Sequence, residues 1–163
     1  VISITPETLE NGDTVISEKQ VKAIDFHKDA KAIIIRTLPN SEDKNSRNWS
    51  GANHTYIHHL AMKHLVDSGM EHFMIDSPSV DREDDNGMLL AHKTFWGLLN
   101  EKTQVKGAVK VDDSYSLERK NCTITEMVFV PNEIKDDLYL MNIQIISLEM
   151  DASPSKILLF EKK

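Results

Sequence analysis

Ala30-Lys31-Ala32-Ile33-Ile34-Ile35-Arg36-Thr37 is the stretch that decides the fold class of this chain. Its centre is an unbroken apolar run, mostly β-branched, rather than an alternation. A strand that shows one face to water alternates, whereas a strand covered on both faces does not, and central strands of parallel sheets are of the second kind. Downstream, Thr55 to Ser68 has helical spacing, with Ile57, Leu60, Ala61 and Leu65 on one expected face and Gly69 as the stop. Glu71 to Asp76 then reads as a short strand with Phe73 and Ile75 on one side. Strand, helix, strand predicts a βαβ unit with parallel pairing, and so an α/β fold with a mixed β-sheet and flanking helices.

Working outward, Thr5-Pro6-Glu7-Thr8-Leu9-Glu10 has the form of a helix start, with Thr5 as cap and Pro6 at the first helical position. Ser17 with Gln20 three residues later is a capping box, and a short helix is expected after it. Pro39 to Gly51 is polar and reads as a surface loop. Lys102 to Lys120 is the least periodic stretch: Val105, Val109 and Val111 suggest a weak strand, and Glu118-Arg119-Lys120 reads as solvated loop. Cys122 to Val130 alternates, which predicts a strand with Cys122, Ile124, Glu126, Val128 and Val130 on one face. Leu138 to Leu148 and Lys156 to Phe160 are two further strands, with Pro131-Asn132 and Ser153-Pro154 at the turns. No internal repeat is present, and residues 1–163 read as a single domain.

At 163 residues the chain has room for one real core. A net charge of -7 argues against nucleic acid as a partner, since phosphate binding needs a basic surface. Apolar runs such as Ile33 to Ile35 and Ile157 to Phe160 fall far short of the ~20 residues that cross a bilayer, so no membrane span is expected. Cys122 is the only cysteine, which excludes a disulfide framework and a Cys-based zinc site, so any metal would need His, Asp and Glu ligands. A lone cysteine fits a reducing compartment, and a cytoplasmic location is the expectation. Val1 reads as an interior residue of a longer gene product, which leaves an export signal upstream open.

Two side chains invite a chemical reading. Glu126 falls on the expected apolar face beside Ile124 and Val128, and a buried carboxylate needs a cation, a metal or several donors to offset desolvation. His92, within Leu89-Leu90-Ala91-His92-Lys93, has the same two readings, a core histidine or a ligand. His54 and His58 have the i, i+4 spacing of a zinc pair, but no Glu follows His54. His54, His58, His59 and Lys63 are therefore read as a solvated helix face.

Asp76-Ser77-Pro78-Ser79-Val80-Asp81 followed by Ala91-His92, and then Thr125-Glu126, resembles the C-terminal portion of the cyclase family of metal-dependent hydrolases, whose best-known members are bacterial-type kynurenine formamidases. Ile35-Arg36-Thr37 is similar to that family's strand ending in Arg-Thr. Asp151-Ala152-Ser153-Pro154-Ser155-Lys156 is similar to its Asp-Gly-Ser-Pro-x-Arg turn, with Ala152 and Lys156 as departures. Lys keeps the charge of Arg but loses its planar fork. A third departure is the length between His92 and Glu126, which residues 98–121 absorb as an expected surface excursion.

The resemblance implies the family's swivelling β/β/α fold. It also implies a divalent metal, zinc first and manganese second, with His92 and Glu126 as ligands. Asp76, Ser79 and Asp81 are the residues expected to shape the pocket. The implied substrate is a small amide or lactam of the formylkynurenine kind, and a homo-oligomer is expected. The family's remaining ligands and its general-base His come from a His-x-x-x-His-x-Asp motif, of which residues 1–163 hold no good copy. This leaves two expectations: a hydrolase seen in part, or a non-catalytic binding or assembly domain that keeps the fold.

Overall fold

The computed structural model describes residues 1–98 and 119–162. Four strands form a parallel sheet: β1 (Ile2–Ile4), β4 (Ala32–Thr37), β6 (His72–Ile75) and β7 (Thr123–Thr125), in the order β1-β4-β6-β7. Ile33, Ile34 and Ile35 are all at most 4% exposed, so β4 is covered on both faces, which its uninterrupted apolar run demands. A small second sheet joins β2 (Glu7–Thr8), β3 (Thr14–Ile16) and β5 (Tyr56–Ile57). A hairpin of β8 (Tyr139–Ile145) and β9 (Ser155–Glu161) completes the strands among the described residues.

Alternation along the parallel strands sorts the core into two layers. Ile33, Ile35, Phe73 and Ile75 face the helices α1 (Glu18–Lys22), α2 (His59–Asp67) and α3 (Leu90–Phe95), where Val21, Met62, Leu65 and Phe95 meet them. Ile34 and Met74 point to the opposite face, where Val130, Met141, Ile143, Ile157 and Leu159 cover them. The predicted βαβ unit is present: β4 and β6 pair in parallel with α2 between them in sequence. The Ser17–Gln20 capping box starts α1 as expected, and Gly69, at φ +83°, accepts the left-handed turn after α2.

Several expectations are corrected. Thr5 to Glu10 is no helix. Glu7–Thr8 pairs antiparallel with Thr14–Val15, and Gly12, at φ +87°, closes the turn between them. A cap and a proline start many turns as well, and no apolar period follows to sustain a helix here. α2 begins at His59 rather than Thr55, and Ile57 belongs to β5, while Leu60 is exposed. The Pro39–Gly51 loop is not wholly at the surface: a turn of 3₁₀ helix at Glu42–Asn45 carries Lys44 inward, and Asn40 is buried too. Arg119 is also drawn in, bonding the Phe95 and Met70 carbonyls and lying over the Phe95 ring. The expected weak strand at 105–111 and nearly all of the 98–121 excursion lie outside the described residues.

Lys44 binds where the two central strands end. Its ammonium donates to Thr37 O at 2.6 Å, Thr37 Oγ1 at 2.9 Å and Asp76 Oδ2 at 2.8 Å. Asp76 also accepts from Thr37 N and Thr37 Oγ1. This buried cluster fixes the C-terminal ends of β4 and β6, from which the functional loop departs.

Candidate functional site

Residues 76–81 leave the C-terminal end of β6, the usual position of binding groups in open parallel sheets. The loop is held along its length. Ser77 Oγ donates to Thr55 O, Ile57 N to Val80 O at 3.0 Å, and Met127 N to Ser77 O at 2.9 Å. The last residue, Asp81, is 5% exposed and serves the start of α3, whose first amides lack helical partners. Its carboxylate accepts from Ala91 N at 2.6 Å and from His92 N at 3.2 Å. It also meets the ring Nδ1 of His92 at 2.6 Å. One carboxylate thereby places both the helix and the imidazole it carries.

The other ring nitrogen faces Glu126. His92 Nε2 lies 3.5 Å from Glu126 Oε1, and that same oxygen accepts from Val80 N at 2.8 Å. Trp96, one turn beyond His92 at the C-cap of α3, stacks on the imidazole with ring centroids 5.8 Å apart and donates its Nε1–H to Cys122 O. Burial of the His92 ring disfavours the imidazolium. The hydrogen bond to Asp81 and the charges of Glu126, Asp81 and Asp85 outweigh it, and the pKa stands above the ordinary imidazole value.

Glu126 corrects the sequence reading of its surroundings. Its side chain is 29% exposed, so it is a carboxylate at the rim of a cleft rather than a buried one. β7 ends at Thr125, and Met127 takes φ 58°, which breaks the alternation. Cys122 and Ile124 pack on the helix side, whereas Val128 and Val130 pack on the hairpin side. The five residues do not share a face.

Of the expected pocket residues, Asp81 reaches His92, and Ser79 Oγ accepts from Asp81 N at 3.2 Å. Asp76 is engaged by Lys44 and Thr37 below the loop. His54 and His58 do not form a solvated face. His58 caps α2 by accepting from Leu60 N, and His54 is buried beneath the loop. Thr55-Tyr56-Ile57, β-branched and aromatic, was the signal for a strand at this place.

An open cleft of about 930 Å³ lies between this site and the hairpin. Its lining includes His92 and Glu126, the apolar Met127, Phe129, Ile143 and Ile157, and Ser153 to Lys156. The His92 and Glu126 atoms suit a divalent ion. An imidazole nitrogen and a carboxylate oxygen are the donors that zinc accepts, and two ligands at about 2.0–2.1 Å in tetrahedral array stand about 3.4 Å apart. The observed 3.5 Å matches that separation. Among the described residues, no group of three or more His, Cys, Asp or Glu side chains is placed to hold an ion.

Solved proteins that share this fold include the following two. One is a predicted metal-dependent hydrolase from Bacillus stearothermophilus, at 15% identity and TM-score 0.56, over 89% of this chain and 56% of that one. The other is a potential metal-dependent hydrolase with cyclase activity, at 17% identity and TM-score 0.58, over 98% of this chain and 65% of that one. The chain thus spans less than two thirds of the length of either. No family model and no curated protein sequence matches it. No helix among the described residues is long and apolar enough to cross a membrane.

Proposed function

We propose that this chain carries part of the metal centre of a hydrolase that cleaves amide or cyclic amide bonds, with His92 and Glu126 as ligands to a divalent ion, zinc first and manganese second. The observation behind this is the 3.5 Å approach of His92 Nε2 to Glu126 Oε1 at the rim of a wide cleft. When bound, such an ion polarises a carbonyl and lowers the pKa of its water towards ~7. The chain's own residues do the positioning. Asp81 occupies His92 Nδ1 and leaves Nε2 for the ion, the arrangement that orients ligand histidines generally. Val80 N–H fixes the ligand oxygen of Glu126, and Trp96 restrains the imidazole plane. The apolar wall of Met127, Phe129 and Ile143 suits the hydrocarbon part of a formylkynurenine-like amide.

Two protein ligands leave most of an ion's coordination open, whereas catalytic zinc sites usually have three and one open position. The remaining ligands and a base for the water proton are therefore sought outside the described residues, in a His-x-x-x-His-x-Asp motif of the kind the resembled family carries. The two-ligand set also favours a second reading, a binding or assembly domain that keeps the fold without turnover.

Hydrolysis of formylkynurenine and simple cyclic amides, with added zinc or manganese, tests the two readings. The 163-residue chain is expected to bind metal weakly, to lose that binding on His92→Ala or Glu126→Ala, and to show no useful turnover. A longer chain with the motif is expected to hydrolyse, and to stop with either substitution. Metal-dependent turnover by the short chain overturns the ligand assignment, and an inert longer chain with the motif leaves the binding domain.

A further inference from the structure

His54 is a buried titratable group that the proposed chemistry leaves unused. Its side chain is 5% exposed, and its Nε2 lies 3.0 Å from the backbone carbonyl of Asp81. A carbonyl oxygen only accepts, so Nε2 carries the hydrogen. In the neutral ring Nδ1 is then a bare lone pair. That atom is buried without a hydrogen-bond partner, and the nearest carboxylate oxygen, Glu83 Oε2, stands 4.0 Å away. A buried polar atom left unpaired is costly. What the ring does make is one bond, to the residue that holds His92.

We propose that His54 is a positioning residue: through its Nε2–H bond to Asp81 O it sets the backbone from which the Asp81 carboxylate grips His92 Nδ1, and so keeps His92 Nε2 aimed at Glu126 Oε1. The geometry supports this at each step. Val80 is already tied on both sides, its carbonyl accepting from Ile57 N and its amide donating to Glu126. His54 fastens the next residue, Asp81, at its carbonyl, beside which the side chain leaves. The Asp81 carboxylate has three partners, all at the start of α3, and a backbone rotation would loosen all of them together. Glu83 supports His54 in turn, since its carboxylate accepts from Gly51 N and from Asn53 N and so fixes the segment that carries the imidazole.

This deepens the proposed function, because aiming Nε2 matters for an ion only if His92 is a ligand. The first readout needs no metal. Long-range proton–nitrogen correlation spectra of the His92 ring, at one fixed neutral pH, report which nitrogen holds the hydrogen and whether it is shielded from exchange. Two amide substitutions separate reach from polarity. His54→Gln carries its NH₂ about where Nε2 stands and retains the donor, whereas His54→Asn ends near Nδ1 and falls short of Asp81. The wild type and H54Q are expected to share one His92 pattern with a slowly exchanging Nδ1–H. H54N is expected to lose that protection at least tenfold, and to bind zinc about 10–100-fold more weakly, the usual loss when an outer-shell partner of a ligand is removed. An H54N protein with the wild-type His92 pattern overturns the proposal, and so does an H54Q protein that loses the pattern while staying folded. If H54N does not fold, H54Q alone decides by the second criterion. Zinc that leaves the wild-type His92 signals unmoved refutes the metal reading, while the H54Q and H54N comparison still decides the role of His54.

Discussion

Replacing Lys44 by Met tests how the functional loop is anchored. The ammonium is 6% exposed and its partner carboxylate, Asp76, is fully enclosed. Met retains most of the packing stem and removes only the charge and its three hydrogen bonds. Asp76 then retains Thr37 N at 3.0 Å and Thr37 Oγ1 at 2.9 Å, two neutral donors for a buried carboxylate. Breaking one side of a buried ion pair costs about 3–5 kcal/mol, and the two remaining donors place this case near the lower end. At this chain length each kcal/mol moves the melting temperature by roughly 2–4 °C, so a fall of roughly 6–12 °C is expected. The assay is calorimetry of K44M, D76N and the double variant. D76N removes the charge that K44M strands, so the double variant is expected to be less destabilised than the sum of the two by at least about 1 kcal/mol. A melting temperature within about 2 °C of wild type for K44M, or strict additivity in the double variant, would refute the reasoning.

Two more predictions concern the site. In metal-free protein, the raised His92 pKa means that the folded state binds the imidazolium proton more tightly than the unfolded chain. The stability from this group is therefore fully present below about pH 6.5, the ordinary imidazole value, and is lost as pH rises through the folded value. Urea midpoints of wild type and His92→Gln, measured with chelator, should converge as pH rises; a gap that widens instead rules this out. Met127, 61% exposed with φ 58°, loses little burial on truncation. Met127→Gly is expected to be neutral or to stabilise by up to about 1 kcal/mol, whereas Met127→Ile should destabilise by more than that, because a β-branched residue resists this conformation. Equal melting temperatures for the two variants would count against the backbone geometry described.

The sheet was legible where burial dictated composition. Ile33 to Ile35 and Phe73 to Ile75 are covered on both faces, and their side chains admit little else. β8 and β9 were legible for a similar reason, each giving alternate residues to the inner face. What stayed hidden depended on partners distant in sequence. Lys44 looks like any loop lysine until Asp76 is placed beside it, and His54 looks like half of a helical pair until β5 claims Tyr56 and Ile57. His92 and Glu126 were singled out from the sequence, and the structure places them 3.5 Å apart. The environment of Glu126 was misread because nothing in a methionine announces a positive φ at position 127.

That torsion at Met127 has a consequence for how the molecule tolerates change. Side chains on a strand report to alternate faces, so a slip of one residue ordinarily propagates along its whole length. Here the chain resets its own parity immediately after Glu126. Residues up to Ile124 answer to the helices, and residues from Val128 onward answer to the hairpin. Along this segment the chain therefore passes from one layer of the core to the other at a single residue, and the carboxylate of Glu126 stands beside that crossing.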